Sequence, residues 1–510
     1  MSNADLLVPL LVAVPILAAT LPLLIGLRFD RVGWSIAAVV CTALFAATIA
    51  LATVVYGDGG AVIHELGGFA RPIGIELVAD ELSTLIALLV TGTSVGVLAY
   101  TRIGGPRGNT FYSGYLLLTG GLLGLTMTGD VFNMFVFLEI TGLATYALIA
   151  KGKGGEAAVA ALKYLVIGTV GASIYLIGVG FLFLATGTLN MIDLTGAVAD
   201  VGYDDPLVRA AFVFVFIGFA IKVAQWPVHS WQPDAYQRAP DGVTPLIAAL
   251  VSTVSAYALG RVLFTVFTVD FLIETPYATE LIVTVGSVSV IAGSVLAVIQ
   301  ADVKRMLAYS SVSQFGLIVA AYGLVTETAL LGAFVHLVGH GLMKVGLFVA
   351  VGVIALGYGA RTVGEYAGLA KQRPIAAGTM AALAIALVGV PPSIGFIGKW
   401  YIAVGSVEAG VWPVAAIIFL STMLTLAYVA RLLERMYFTP GPRELDAPGA
   451  RAGAFATDGG RFVRANVKRR TVSVGMLGLL VVVTVLAIAL GFAGAEFEWL
   501  LGEFVSEVFS

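Results

Sequence analysis

The sequence predicts an all-α membrane protein of about fourteen transmembrane helices, organised as two inverted five-helix repeats with two broken helices. Three observations carry this reading. Of 510 residues, 59% are hydrophobic and only 12% charged, whereas a soluble domain carries about a quarter charged residues. The apolar residues form long runs separated by charged or Gly/Pro-rich breaks, and no run alternates as a barrel strand would. The basic residues fall almost wholly in alternate connections, as cytoplasmic loops require.

A helix needs roughly 20 apolar residues to cross the hydrocarbon core. The candidate runs are 6–25, 32–56, 82–100, 113–127, 131–150, 158–184 and 206–228, then 243–269, 281–299, 306–325, 329–356, 375–404, 411–429 and 472–492. The first follows Met1 to Asp5, which lack the basic flank of a cleavable signal, so it reads as a retained span. Of the 28 lysines and arginines, Lys222, Arg261, Lys344 and Lys399 fall inside spans and only Arg71 and Arg209 in even-numbered connections. The other 22 fall in odd-numbered connections. A miscounted helix would scramble this pattern, so both termini are expected outside the cytoplasm. Residues 439–471 are rich in Gly, Pro, Ala and Arg and read as a cytoplasmic linker to the last span. Residues 1–510 thus form one multi-pass domain of the plasma membrane, with the lipid bilayer as its solvent and no soluble catalytic domain left over. A transporter subunit therefore fits better than an enzyme.

The net charge of −3 gives no sign of nucleic acid as a partner, and the single cysteine, Cys41, excludes an internal disulfide or a cysteine-built metal site. What remains informative is the set of ionisable groups inside the spans, which are expensive there and functional by default. Glu139 lies mid-run among Phe135, Phe137, Leu138 and Ile140. Lys222 stands five residues before Pro227, whose missing N–H tends to break a helix, and broken helices at membrane depth line wet ion paths. The twelfth run repeats the device: Pro391-Pro392 interrupts it shortly before Lys399. Two such breaks five spans apart suggest repeats at 113–270 and 280–435. An odd number of spans per unit inverts the second.

In the eleventh run His336, His340 and Lys344 are spaced i, i+4, i+8, along one helix face over about 12 Å, a spacing suited to a proton relay. Two histidines four apart can also bind zinc, but His336-Leu-Val-Gly-His340 lacks the catalytic glutamate and no cysteine supplements it, so no metal is expected. Nor is any cofactor: no glycine-rich stretch matches a phosphate loop, and no Cys or His spacing suits haem or an iron–sulfur cluster.

At these residues the chain resembles the antiporter-like subunits shared by Mrp-type Na+/H+ antiporters, the NADH:quinone oxidoreductase complex I and membrane-bound hydrogenases. The segments that carry the resemblance are Gln225-Trp-Pro-Val-His-Ser-Trp-Gln-Pro-Asp-Ala235, Asp302-Val-Lys-Arg-Met-Leu-Ala-Tyr-Ser-Ser-Val-Ser-Gln314 and Gly129-Asp-Val-Phe-Asn-Met-Phe-Val-Phe-Leu-Glu139, within roughly 75–430. The resemblance implies that Glu139 and Lys222 form the coupling pair of one half-channel, that His336, His340 and Lys344 belong to a central axis, and that Lys399 serves the exit side. Length, span count and the lysine at 399 are most similar to the Mrp D-type branch. This implies partnership with other subunits of a hetero-oligomeric antiporter, moving H+ and Na+.

One departure is visible. Relatives place a lysine in the eighth span, whereas here Thr253, with Ser252 and Ser255, offers only hydroxyls able to anchor water. The alternatives are a proton-pumping subunit of a redox complex and, in a different class, a non-transporting scaffold, which would need all these buried ionisable groups to be structural.

Overall fold

The computed structural model describes residues 5–441, 472–510 and, as paired strands, 454–458 and 461–465; residues 1–4 and the remainder of the linker predicted at 439–471 lie outside the described residues. The chain is an all-α, multi-pass membrane protein. Ten helices among the described residues are long and apolar enough to cross a membrane. The other four predicted runs are also helical, but shorter, more polar or interrupted. Asn109–Met127 is diluted by glycine and threonine, Val303–Tyr322 by serines and Gln314, and the two proline-bearing runs are broken.

Helix starts follow from side chains placed to accept the first free backbone N–H groups. Asp80 accepts from Ser83 N, Asp130 from Asn133 N, Asp302 from Arg305 N and Ser393 from Phe396 N. Helix faces then meet over small residues, as lipid-embedded helices do when nothing apolar drives them together. At Gly316, for example, a Cβ would stand 2.7 Å from the carbonyl oxygen of Gly286 on the neighbouring helix.

Two helices form the centre. In both Thr244–Glu274 and Glu327–Tyr358, 94% of the most apolar window is buried, against 39% in the peripheral Gly155–Thr186. The first of these is not a plain α-helix: wider turns at Ile247–Val251 and Leu263–Phe267 bracket Ser252–Val262. Such widened turns re-aim side chains and recur at functional sites.

Both helix breaks expected from sequence are present. One helix ends at Lys222, and the chain passes through Ala224 at φ 57° and Pro227 before resuming at Trp231–Arg238. The other helix ends at Val388, Gly389 adopts φ 92°, and the chain resumes at Ile394–Glu408. Neither run is therefore one continuous span.

Three elements go beyond the sequence reading. Val62–Glu65 and Glu76–Ala79 form an antiparallel hairpin in the second connection, Met191–Val201 is a short helix in the sixth, and Gly494–Phe509 is a C-terminal helix whose Phe497, Leu501, Phe504 and Val505 are buried. Within the predicted linker, Ala454–Asp458 pairs antiparallel with Arg461–Ala465.

Candidate functional site

Where the first helix breaks, Lys222 Nζ stands 3.4 Å from Glu139 Oε1; the lysine side chain is 5% exposed and the carboxylate 23%. The break is held open by specific bonds. Gln225 N reaches back to the carbonyl of Ala220 at 2.8 Å, and the Trp231 indole donates to that of Ile221 at 3.0 Å. Trp231 is itself stacked on Tyr164, with ring centroids 3.9 Å apart, so the cap that ends the helix also fixes the residue before Lys222. Removing one member of a buried pair of this kind costs about 3–5 kcal/mol, because the other charge is left uncompensated.

At the second break the logic differs. Lys399 Nζ donates to the carbonyls of Leu387 at 3.1 Å and Val388 at 2.9 Å, the terminal acceptors of the helix that the proline pair interrupts. A helix C-terminus, with unpaired carbonyls and the negative end of the dipole, suits an ammonium. Next to Lys399, Gly398 lets this helix lie on the backbone of His336, where a Cβ would come within 2.7 Å of Cα.

Between the two breaks runs a row of buried groups. His336 Nε2 lies 2.8 Å from the Gln314 side-chain amide, and its Nδ1 has no protein partner among the described residues. Neither ring nitrogen of His340 has a protein partner among the described residues, and its ring rests on Phe315 at 4.4 Å. Lys344 donates to the Leu307 carbonyl at 2.8 Å and to the Ser310 hydroxyl.

Thr253 is fully buried, and its hydroxyl also lacks a protein partner among the described residues. Its neighbours do not share that freedom. Ser252 is engaged by Gln232 at 3.0 Å and Tyr236 at 3.3 Å, and Ser255 donates to its own helix at Val251 O, so Thr253 alone of the three has an unpartnered hydroxyl among the described residues. The Thr253 helix packs against the Lys222 helix on one side and the Gln314 and histidine helices on the other. No direct hydrogen bond among the described residues joins Lys222 to Thr253, or Thr253 to either histidine. Buried polar atoms without partners cost about 1–3 kcal/mol each, so a row of them calls for water between.

Several residues that contact the row were not singled out from the sequence. Gln314, Ser310, Gln232 and Tyr236 complete the row, yet neutral polar residues in a helix give little signal. On the lysine-rich side, Asp234 bonds Lys163 and Arg305, both at 2.7 Å, while Asp241 bonds Lys304 at 3.3 Å and Arg361 at 2.9 Å. Burial works against the Asp241 carboxylate, but Lys304 and Arg361 outweigh it and hold its pKa below the usual carboxylate range. At the other end, Arg261 pairs with Asp80 at 2.6 Å.

The chain is similar to known proteins in sequence and in fold. The family model described as "NADH:quinone oxidoreductase/Mrp antiporter, TM" matches residues 128–425. The N-type subunit of the NADH-quinone oxidoreductase of Desulforudis audaxviator is 39% identical over 486 residues, covering 94% of each chain. The D-type subunit of the Na+/H+ antiporter of Bacillus subtilis is 32% identical, over 75% of this chain and 78% of that one. Among solved structures, a chain of the Mrp complex from Dietzia sp. superposes with a TM-score of 0.88 at 27% identity, covering 100% of this chain and 98% of that one.

Proposed function

Because the chain belongs to the NADH:quinone oxidoreductase/Mrp antiporter transmembrane family, we propose that it is a proton-translocating subunit of an Mrp-type multisubunit Na+/H+ antiporter of the plasma membrane. The observation that carries the reading is the Lys222–Glu139 pair, 3.4 Å apart at the end of a broken helix. An acid and a base in contact at membrane depth can exchange hold over a proton, which a packing contact does not need. In this reading a proton arriving at Glu139 neutralises the carboxylate and frees Lys222 to release its own proton inward. Water bracketed by Thr253 then carries it towards the unpartnered Nδ1 of His336 and to His340. Lys344 and Lys399 complete the path, the latter releasing the proton at the second break.

The topology proposed with it puts both termini outside the cytoplasm, the lysine-rich connections and the 439–471 linker inside, and inverted repeats at 113–270 and 280–435. The paired placement of the breaks, each with a lysine held beside unwound backbone, supports the repeats. In vesicles containing the whole complex, Glu139→Gln or Lys222→Ala should abolish Na+-driven proton movement without loss of assembly; unimpaired transport in either refutes the reading.

A second reading, a proton-pumping subunit of a redox complex, is favoured by the N-type oxidoreductase relative at 39% identity. The subunits that co-purify separate the two: small hydrophobic antiporter subunits in one case, iron–sulfur or quinone-binding subunits in the other.

A further inference from the structure

The helix that carries Thr253 presents Thr253, Tyr257 and Arg261 at i, i+4 and i+8, a stripe about 12 Å long on one face. Its inner end is the unpartnered hydroxyl of Thr253. In the middle, Tyr257 Oη accepts from Arg261 Nε at 3.3 Å and Nη2 at 3.1 Å, and donates to the Thr126 carbonyl at 2.8 Å. At the outer end Arg261 grips both oxygens of Asp80, Nη1 to Oδ2 at 2.6 Å and Nη2 to Oδ1 at 2.7 Å, with both side chains 11% exposed. The guanidinium also lies 4.9 Å from the ring centre of Phe504 on the C-terminal helix.

Beyond this pair opens a cavity of about 910 Å³, and Asp80, Tyr257, Arg261 and Phe504 all line it. The rest of its wall comes from the second, fourth, sixth and eighth connections and the C-terminal helix, with Glu81, Asp270, Glu503 and Glu507 among the lining residues. Those are the lysine- and arginine-poor connections. The relay proposed above uses Thr253 but neither Tyr257, Arg261, Asp80 nor the cavity.

We propose that the stripe is an outward branch of the proton path, leading from the axis at Thr253 to the cavity, and that the Arg261–Asp80 pair is its gate. The proposal rests on the axis and orientation of the preceding section. Arginine does not give up its proton at usable pH, so Arg261 cannot itself be a relay station. A guanidinium fixed across a polar passage presents only N–H donors and can accept no proton, so it interrupts a hydrogen-bonded wire. The bidentate pair is therefore the closed state. Swinging Arg261 into the acidic cavity opens the branch, and protons then pass on water between the Thr253 and Tyr257 hydroxyls. The C-terminal helix, which supplies Phe504, Glu503 and Glu507, sets how firmly the gate is held. The hydroxyl at 253 fits this role, since a lysine there would add a second positive charge two turns from Arg261.

The test uses the whole complex in proteoliposomes under an imposed pH gradient with no other cation gradient. Arg261→Gln should raise passive proton leak about tenfold over wild type, and adding Thr253→Val should return it close to the wild-type rate. Because Arg261→Gln strands Asp80, the double variant Asp80→Asn/Arg261→Gln is measured alongside, with the same leak expected. The gate is overturned if this double variant, assembled to wild-type yield, is as proton-tight as wild type, or if the leak persists undiminished with Thr253→Val. Glu139→Gln, run in parallel, separates the two claims. A transport-dead Glu139→Gln with a tight gate variant overturns the gate alone, whereas a leaky gate variant with fully active Glu139→Gln overturns the relay and keeps the gate.

Discussion

Shortening Glu139 by one methylene and neutralising it are graded perturbations whose effects follow from the 3.4 Å separation to Lys222. At an effective dielectric of about 20, two unit charges at that distance interact by about 5 kcal/mol. Glu139→Gln removes this entirely, so cation-driven proton exchange should fall at least a hundredfold. Glu139→Asp keeps the charge and withdraws it by about 1.5 Å, one C–C bond. The same expression loses about 1.5 kcal/mol, worth about tenfold. The assay is proton flux into proteoliposomes of the intact complex, followed with a pH-sensitive dye after a Na+ pulse, with assembly verified by size-exclusion chromatography. The ordering wild type, Asp, Gln is the signature of an electrostatic coupling pair. Equal rates in all three would refute it, and equal loss in Asp and Gln would show that carboxylate position matters in some way other than charge separation.

Other consequences can be checked with the same preparation. Lys399→Arg keeps the charge and the carbonyl partners but cannot release a proton at usable pH, so it should be inactive; full transport would make the site purely electrostatic. Thr253→Val keeps shape and loses the hydroxyl, and should slow exchange severalfold, less than Lys222→Ala does; a wild-type rate across pH would take Thr253 out of the path. Asp241, with its pKa depressed by Lys304 and Arg361, contributes stability that is present above the unfolded carboxylate value of about 3.9 and is lost as pH falls through the lower folded value. The melting temperature of the solubilised complex should accordingly be several degrees lower in Asp241→Asn at pH 7, with the gap closing below about pH 4; a gap constant with pH would contradict the ion-pair account.

What the sequence made legible is what the bilayer makes expensive. Glu139, Lys222 and Lys399 stood out because charge inside an apolar run must be paired or used, and the two breaks because proline removes a backbone donor. The partners were less visible. Asp80 and Arg261 are 181 positions apart, and Asp80 sits in a connection where an acid is unremarkable. The widened turns around Ser252–Val262 have no local signature, since long-range packing selects them. The C-terminal helix was within reach: Phe497, Leu501, Phe504 and Val505 have helical spacing, but the interleaved Glu496, Glu498, Glu503 and Glu507 keep the segment too polar to count as a span.

The central proposal is that this chain passes protons in exchange for a cation and without redox chemistry. Proton flux driven by a Na+ gradient alone, in proteoliposomes of the natively purified complex with neither NADH nor quinone present, tests it most directly. The account predicts robust flux in the wild-type complex and none in an assembled Lys222→Ala complex. Flux that appears only when a redox substrate is supplied, or that is undiminished in Lys222→Ala, would contradict it.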